Sequence, residues 1–176
     1  MHEKILSSKK VFEGKIINTR KDEIRLKSKI FTREVVEHPG SVAIVPILNN
    51  GSIVMVEQYR HPVGEVLLEI PAGTLEMNEN IIECAHRELV EETGYKAGNL
   101  RKIISCYLAP GYCTELIHIF LATKIEDAKQ KLEDDESIRV VTRELTEVKK
   151  MINEGLIKDA KTIIGVAYLD LDKEIQ

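Results

Sequence analysis

Residues 9–38 alternate between charged and apolar positions, which is the pattern of half-buried β-strands. The alternation predicts two or three strands, with one polar turn around Lys21–Asp22 and another near Lys27–Lys29. So short a stretch carries too few apolar residues for a core of its own. We therefore expect it to pack on the rest of the chain or on a second chain.

Two β-branched runs follow the breaker His38-Pro39-Gly40, at 42–48 and 53–59. They flank the turn sequence Asn49-Asn50-Gly51, and an Asn-Gly turn between two such runs predicts a β-hairpin. The same kind of pattern predicts later strands at 65–70, 101–107, 115–122 and 138–144. The chain is therefore expected to contain a sheet of several short strands.

The apolar period changes to that of a helix at residues 80–93. The stripe consists of Ile81, Ile82, Ala85, Leu89 and Val90. Asn80 stands where a helix N-cap belongs, and Gly94 stands where a C-cap belongs. Helices are also predicted at 145–154 and 159–169, and an acidic loop at 126–137. This order of elements predicts an α+β fold, a mixed sheet with a few helices packed on it.

The composition narrows the class of protein. The 176 residues suit one domain with a small appendage. The 25 Lys and Arg residues against 29 Asp and Glu give a net charge of −4 without a basic patch, so a nucleic-acid partner is not expected. No apolar run approaches the ~18 residues of a membrane span. The three cysteines form no Cys-x-x-Cys pair, so neither a disulfide framework nor a zinc site is predicted, and we expect a cytoplasmic protein.

Three glutamates of the predicted helix form a charged face. Glu88, Glu91 and Glu92 fall within an arc of about 100° because successive helical residues are rotated by roughly that angle. Like charges at this spacing destabilise a helix by a few tenths of a kcal/mol per pair. The face is therefore either a solvated acidic surface or a site for a hard divalent cation, whose preferred ligands are carboxylate oxygens.

The spacing around these glutamates decides between the two interpretations. Gly73 is followed after five residues by Glu79, after seven more by Arg87-Glu88-Leu89, then by Glu91-Glu92 and by Gly94-Tyr95. This spacing resembles the Nudix signature at every defined position. Seven fixed identities at fixed spacing arise by chance about once in 10⁸ start positions on average composition. The resemblance favours the cation site.

Other phrases of the chain resemble one Nudix subfamily, the ADP-ribose pyrophosphatases. Pro110 lies sixteen residues after Gly94, as in that subfamily. Further matching phrases are Glu37-His38-Pro39-Gly40, Glu57-Gln58-Tyr59-Arg60, Glu69-Ile70-Pro71-Ala72-Gly73 and Asp159-Ala160-Lys161-Thr162. The resemblance implies an α/β/α sandwich with a mixed sheet, and hydrolysis of ADP-ribose to AMP and ribose 5-phosphate with Mg²⁺, or with Mn²⁺ in its place.

The N-terminal β segment also resembles that of the subfamily, where it exchanges across a homodimer and helps to bind substrate. The resemblance therefore implies a division into residues 1–38, which form the dimer and contact substrate, and residues 39–176, the Nudix hydrolase domain.

Roles for individual residues follow from the same resemblance. The Ala72 carbonyl, Glu88 and Glu92 are implied as metal ligands, and Glu91 as a further ligand or a holder of the attacking water. Arg87 is implied to orient one of the carboxylates. Glu79 is either a supporting residue of the site or a carboxylate that favours the helix N-terminus.

The resemblance also implies contacts with the substrate. Arg60 would meet a phosphate or the terminal ribose, and Glu115 would contact substrate from the loop after Pro110. Either could instead be an ordinary surface residue at a strand end. Tyr59 would either stack on adenine or simply pack.

The chemistry needs a base that takes the proton of the attacking water. In the subfamily this base, or a further metal ligand, comes from an acidic loop after the main sheet. Glu136, directly before the entry into the strand at 138–144, aligns better with it than Glu133. The alternative is that the whole run is a solvated acidic loop.

The sequence leaves two other functions open. One is a Nudix hydrolase of another nucleoside diphosphate sugar, such as GDP-mannose or ADP-glucose. The other is a Nudix fold without catalysis that senses a nucleotide, which the intact glutamates of the signature disfavour.

Overall fold

The computed structural model describes residues 2–132 and 137–171. The chain divides into two compact units. The first consists of the residues up to Gly40 together with Cys106–Ile117, and the second of Ser41–Ser105 and the residues from His118 onward. The proposed functional division into 1–38 and 39–176 remains a prediction.

The first unit is built on a three-stranded antiparallel sheet in the order β1-β2-β3. The strands are β1 (Lys4–Glu13), β2 (Asn18–Leu26) and β3 (Lys29–Glu37). The turn expected near Lys27–Lys29 is confirmed, and Lys27 has a φ of 56° there.

The prediction of a turn around Lys21–Asp22 is wrong. Both residues lie inside β2, where Lys21 is opposite Lys9. Asp22 is buried and accepts hydrogen bonds from Ser8 Oγ at 2.6 Å and Arg20 Nε at 3.0 Å. The polar pair therefore belongs to the sheet because its buried member has partners within it. The connection between β1 and β2 is the turn that Gly14 closes by donating its N–H to the Ile17 carbonyl at 3.0 Å.

Among its described residues, the second unit contains two sheets and three helices. A four-stranded sheet has the order β7-β4-β9-β8, and a three-stranded sheet has the order β10-β5-β6. The strands are β4 (Ser41–Pro46), β5 (Ser52–Arg60), β6 (Glu65–Glu69), β7 (Ala72–Thr74), β8 (Tyr95–Tyr107), β9 (Leu116–Asp127) and β10 (Ile138–Glu144). The helices are α1 (Ile81–Thr93), α2 (Leu145–Asn153) and α3 (Ala160–Leu171). The order of strands and helices confirms the expected α+β class.

The hairpin expected from the runs at 42–48 and 53–59 forms only at its turn. The Gly51 N–H donates to the Leu48 carbonyl at 2.9 Å, and one bridge joins Ile47 to Ile53. Beyond that bridge, β4 and β5 belong to different sheets. The reason is that both edges of β4 are taken, one by β7 and the other by β9.

Strand β4 is covered on both faces, and all six of its residues are buried. On one face, Val42 and Ile44 pack into an apolar cluster with residues of α1 and β9. The other members of this cluster are Cys84, Ala85, Leu89, Phe120 and Ala122. On the other face α3 approaches so closely that a Cβ on Gly165 would lie 2.9 Å from Val45 Cγ2. The central sheet of this unit is thus held between two helices.

Both predicted caps of α1 are confirmed. Asn80 accepts a hydrogen bond from the Ile82 N–H at 2.8 Å, as an N-cap side chain does. Gly94 adopts the left-handed conformation with a φ of 70° and donates its N–H to the Val90 carbonyl. These caps fix the ends of the helix that carries the charged face. In the part of the chain that is described, no helix has the length and apolar character to cross a membrane.

Candidate active site

Arg87 gathers three carboxylates at one side of α1. Its Nε and Nη2 atoms donate to the two oxygens of Glu79 at 2.8 and 2.9 Å. Its Nη1 atom donates to Glu88 Oε1 at 2.7 Å and to Glu91 Oε2 at 3.0 Å. Arg87 therefore makes a bidentate pair with Glu79, the one carboxylate of the three that is outside the helix.

Glu79 is fixed by more than the arginine. Its Oε2 also accepts the backbone N–H of Glu76 at 2.9 Å. The hydrogen bonds from Arg87 lower the pKa of the Glu79 carboxyl from 4.5 to about 2, against the opposing effect of burial. In return, these bonds raise the pKa of Arg87 above its ordinary value. Glu79 therefore holds the guanidinium that in turn holds the two helical glutamates.

Gly73 leaves the space that the Glu88 side chain occupies. A Cβ built on Gly73 would lie 1.9 Å from Glu88 Cδ and from Glu88 Oε1, and 2.2 Å from Glu88 Oε2. No side chain can stand there while the carboxylate keeps its position. The glycine of the signature is thus needed for close approach of the strand to the helix.

Glu92 is joined to the strand that follows Pro71. Its side chain is buried, and its Oε2 accepts the Ala72 N–H at 3.0 Å. Ala72 is opposite Ala43 in the antiparallel pair β4–β7, where residues alternate between pairs that exchange hydrogen bonds and pairs that do not. The Ala72 N–H donates to Glu92 and not to β4, so Ala72 and Ala43 are a pair that does not exchange hydrogen bonds. In such a pair the carbonyl points the same way as the N–H. The Ala72 carbonyl therefore also faces away from β4, at the outer edge of the sheet.

These side chains supply the oxygen donors that a hard dication requires. Within residues 2–132 and 137–171, no three Asp, Glu, His or Cys side chains stand together in the arrangement of metal ligands. The Arg87 guanidinium engages Glu88 and Glu91, and the Ala72 N–H engages Glu92. The roles of Ala72, Glu88, Glu91 and Glu92 as ligands therefore stay predictions, which the chemistry of the donor set fits.

Arg60, the predicted phosphate contact, ends β5 in the same unit. Its Nε and Nη2 atoms donate to the two oxygens of Glu69 at 2.8 and 2.7 Å. These hydrogen bonds raise the pKa of Arg60, and the charges of Glu92 and Asp159 add to the effect. Arg60 therefore lies within the electrostatic field of the glutamates on α1.

The other predicted residues are placed as follows. Tyr59 is exposed and is opposite Val66 in the β5–β6 pair, and its choice between stacking and packing stays open. Glu115 belongs to the first unit, where its N–H donates to Cys113 Sγ at 3.5 Å, and its substrate contact stays a prediction. Glu133 and Glu136 lie outside the described residues.

Sequence reasoning assigned no role to a group of residues around Glu69. Lys161 and Asp159 lie at the start of α3 and form ion pairs in this group, and Thr162 is completely buried beside them. The only local sign is an aspartate three residues before a threonine, which is typical of a helix N-cap. Contacts between residues 92 positions apart leave no pattern in a single sequence.

Comparison with known proteins agrees with the fold. The NUDIX domain family model matches residues 37–162. The chain belongs to the Nudix family, a family of hydrolases whose members generally use a divalent metal ion. A crystal structure of an ADP compounds hydrolase has the same fold, with a TM-score of 0.86 over 97% of this chain and 94% of that chain at 19% identity.

Relatives of known activity match most or all of the chain. It is 37% identical to ADP-ribose pyrophosphatase of Bacillus subtilis (strain 168), over 100% of this chain and 97% of that protein. It is 39% identical to the methanol dehydrogenase activator of Bacillus methanolicus, over 99% of this chain and 96% of that protein. It is 38% identical to a GDP-mannose pyrophosphatase of Yersinia enterocolitica, over 79% of this chain and 78% of that protein.

The Arg87–Glu79 pair predicts a pH-dependent contribution to stability. The pKa of Glu79 is depressed in the folded chain, so its ionised form stabilises the fold above pH 4.5 and loses this effect as the pH falls toward 2. Glu79→Gln should lower the free energy of unfolding by about 1–3 kcal/mol at pH 7. Urea unfolding of both proteins between pH 7 and pH 3.5 should show the difference shrinking below pH 4.5.

Glu76→Gln is the matched control, because Glu76 is exposed and only its backbone contacts Glu79. It should unfold like the wild type at each pH. A difference between the wild type and Glu79→Gln that stays constant down to pH 3.5 would contradict the depressed pKa.

Proposed function

We propose that this enzyme hydrolyses ADP-ribose to AMP and ribose 5-phosphate with Mg²⁺. One observation carries the proposal: Glu88 and Glu92 are both buried and held in place, Glu92 by the Ala72 N–H, and Glu88 by Arg87 in the space that Gly73 leaves. Similarity along the whole chain to an ADP-ribose pyrophosphatase supports the choice of substrate.

The residues that would hold the metal are Glu88, Glu92, Glu91 and the Ala72 carbonyl, with Mn²⁺ as an alternative to Mg²⁺. A dication bound there lowers the pKa of a bound water and neutralises charge on the phosphoryl group that is attacked. Arg87 holds Glu88 and Glu91 together, so little side-chain freedom remains to be lost when a cation binds.

Arg60 offers the diphosphate a positive charge in a fixed orientation. Glu69 holds two of its nitrogens, and Nη1 donates no hydrogen bond to any residue in the described part of the chain. The side chain is 37% exposed, so Nη1 is available to a phosphate oxygen. Glu115 and Tyr59 are proposed as the further contacts with substrate.

Glu136 is proposed as the base that takes the proton of the attacking water. Glu136→Gln should lower kcat by about 10² or more, because a positioned base contributes roughly 10²–10⁴. KM should change little, since proton transfer matters only in the transition state. Glu133→Gln is the matched control and should stay within about threefold of the wild type. The reverse pattern in steady-state kinetics would give the role to Glu133.

A second candidate substrate is GDP-mannose or another nucleoside diphosphate sugar such as ADP-glucose. Several relatives with 33–38% identity are GDP-mannose pyrophosphatases, which supports this alternative. A sensor without catalysis is disfavoured because all the carboxylates of the signature are present and held in place.

The direct test is release of nucleoside monophosphate from a panel of ADP-ribose, ADP-glucose and GDP-mannose at fixed Mg²⁺. ADP-ribose should give the highest kcat/KM, with AMP as a product. Glu92→Gln should lose most of this activity while folding normally, because it removes one anion from the metal face and also relieves repulsion within α1. Wild-type turnover by Glu92→Gln would overturn the assignment of the metal site. Preference for another sugar nucleotide would overturn the choice of ADP-ribose as substrate.

We further propose that the chain forms a two-fold homodimer through its N-terminal β segment. Large apolar side chains of this segment are 36–60% exposed in the single chain. They are Ile5, Leu6, Val11, Phe12, Ile16, Ile17, Ile30 and Phe31. So many exposed apolar side chains on one small sheet and its first turn are typical of an interface. Since the three cysteines are free thiols, we place the enzyme in the reducing cytoplasm, without nucleic-acid or membrane partners.

Sedimentation should show this dimer at micromolar concentration. Deleting residues 1–38 should lower solubility and the affinity for substrate together, because the segment is proposed to serve both the interface and the substrate. A stable monomer of the full chain at micromolar concentration would contradict the proposal.

A further inference from the structure

A group of four charged side chains is packed where β6 ends and α3 begins. Glu69 is 1% exposed and lies between two cations, because Arg60 donates to both of its oxygens and the Lys161 ammonium contacts Oε2. Lys161 is 8% exposed and also contacts Asp159 Oδ1 at 3.0 Å. The four formal charges sum to zero.

The same group anchors the strand that leads into the signature. Asp159 Oδ2 accepts hydrogen bonds from the N–H and the hydroxyl of Thr162. The Asp159 side chain thereby caps the start of α3. The Thr162 hydroxyl oxygen accepts the Ile70 N–H at 2.9 Å. The start of α3 is thus joined to two neighbouring residues of the chain, to Glu69 through its side chain and to Ile70 through its backbone.

Stability alone does not explain why a lysine is buried here. Replacing a buried ion pair by apolar side chains of similar volume is often neutral or stabilising, so such a pair is weak grounds for a purely structural role. Burial raises the pKa of the Glu69 carboxyl, but hydrogen bonds from Arg60 and the charge of Lys161 outweigh this effect and hold the pKa below its usual value. Glu69 therefore stays an anion beside the proposed phosphate contact.

An anion at this place has two opposite effects on a bound diphosphate. Glu69 holds Arg60 rigid, which favours binding because less side-chain freedom is lost. Its negative charge also repels the diphosphate and offsets the charge of Arg60. A second cation that contacts Glu69 offsets the repulsion and keeps the rigid hold. Lys161 is that cation, because its ammonium contacts Glu69 Oε2 and the residue is buried.

We infer that Lys161 is a positioning residue for diphosphate binding, which neutralises Glu69 so that Arg60 is both held and left with its charge for a phosphate. This inference deepens the proposed function and rests on it. It assigns a role to the Asp159-Ala160-Lys161-Thr162 phrase, and it places that role about one hundred residues along the chain from Arg60.

The test compares the kinetics of Lys161→Met with those of a matched control, Lys158→Met. Lys158 forms an exposed ion pair with Glu65 at 2.9 Å, also between β6 and the region before α3. Lys161→Met should raise KM about tenfold and leave kcat within threefold, whereas Lys158→Met should change neither. Unchanged KM in a folded Lys161→Met variant overturns the inference.

A charge-balanced double variant separates positioning from a merely structural role. Lys161→Met with Glu69→Gln leaves no net negative charge beside Arg60, and the amide oxygen can still accept one hydrogen bond from Arg60, so its KM should fall clearly below that of Lys161→Met. A double variant as impaired as Lys161→Met contradicts the inference, because lost packing would not be restored by removing a second charge.

If Lys161→Met fails to fold, Lys161→Arg tests the role of Lys161 instead. It retains the positive charge, so its KM should stay within threefold of the wild type even where its melting temperature falls, and a tenfold increase in KM overturns the inference. A wild type that hydrolyses no sugar nucleotide of the panel refutes the proposed function itself. A wild type active on any of them, with KM unchanged in folded Lys161→Met, refutes only the role of Lys161.

Discussion

Mutual repulsion among the carboxylates of α1 is the constraint around which the site is built. Glu88, Glu91 and Glu92 lie at helical spacings that place like charges side by side. The Arg87 guanidinium compensates two of them, and Glu79 fixes that guanidinium from outside the helix. The third glutamate is compensated by the backbone N–H of Ala72. Both compensating groups also contact β7, since Arg87 Nη2 donates to the Thr74 carbonyl at 3.4 Å and the N–H on Glu92 is that of Ala72.

That strand is held from three sides. Thr162 at the start of α3 accepts the Ile70 N–H, the Ile44 N–H of β4 donates to the Pro71 carbonyl at 2.9 Å, and Glu92 of α1 accepts the Ala72 N–H. The backbone from Ile70 to Ala72 is thereby fixed without a regular partner on its free edge. The fold thus brings the Ala72 backbone against Glu92, and the roles of the Ala72 carbonyl and the glutamates as metal ligands stay predictions.

The sequence predicts correctly those features that depend on residues close together in the chain. The extent and both caps of α1 follow from residues within one turn of its ends, and the signature glutamates follow from their spacing. The pairing of β4 with β7 and β9 instead of β5 is decided by distant strands, so the Asn49–Gly51 turn predicted the wrong partner. The sequence predicts a turn at Asp22 because its partner Ser8 lies on β1 and reaches it only once the sheet forms.

The central claim is that the charged face of α1 binds a divalent cation, and Mn²⁺ binding measured by electron paramagnetic resonance tests it without relying on turnover. The wild type should bind Mn²⁺, and Glu92→Gln should bind it at least about tenfold more weakly, because one of few carboxylate ligands is lost. Glu83→Gln, on an exposed part of the same helix, should bind it like the wild type. Equal affinity in the wild type and Glu92→Gln would contradict the claim and leave the buried glutamates with only their contacts to Arg87 and Ala72.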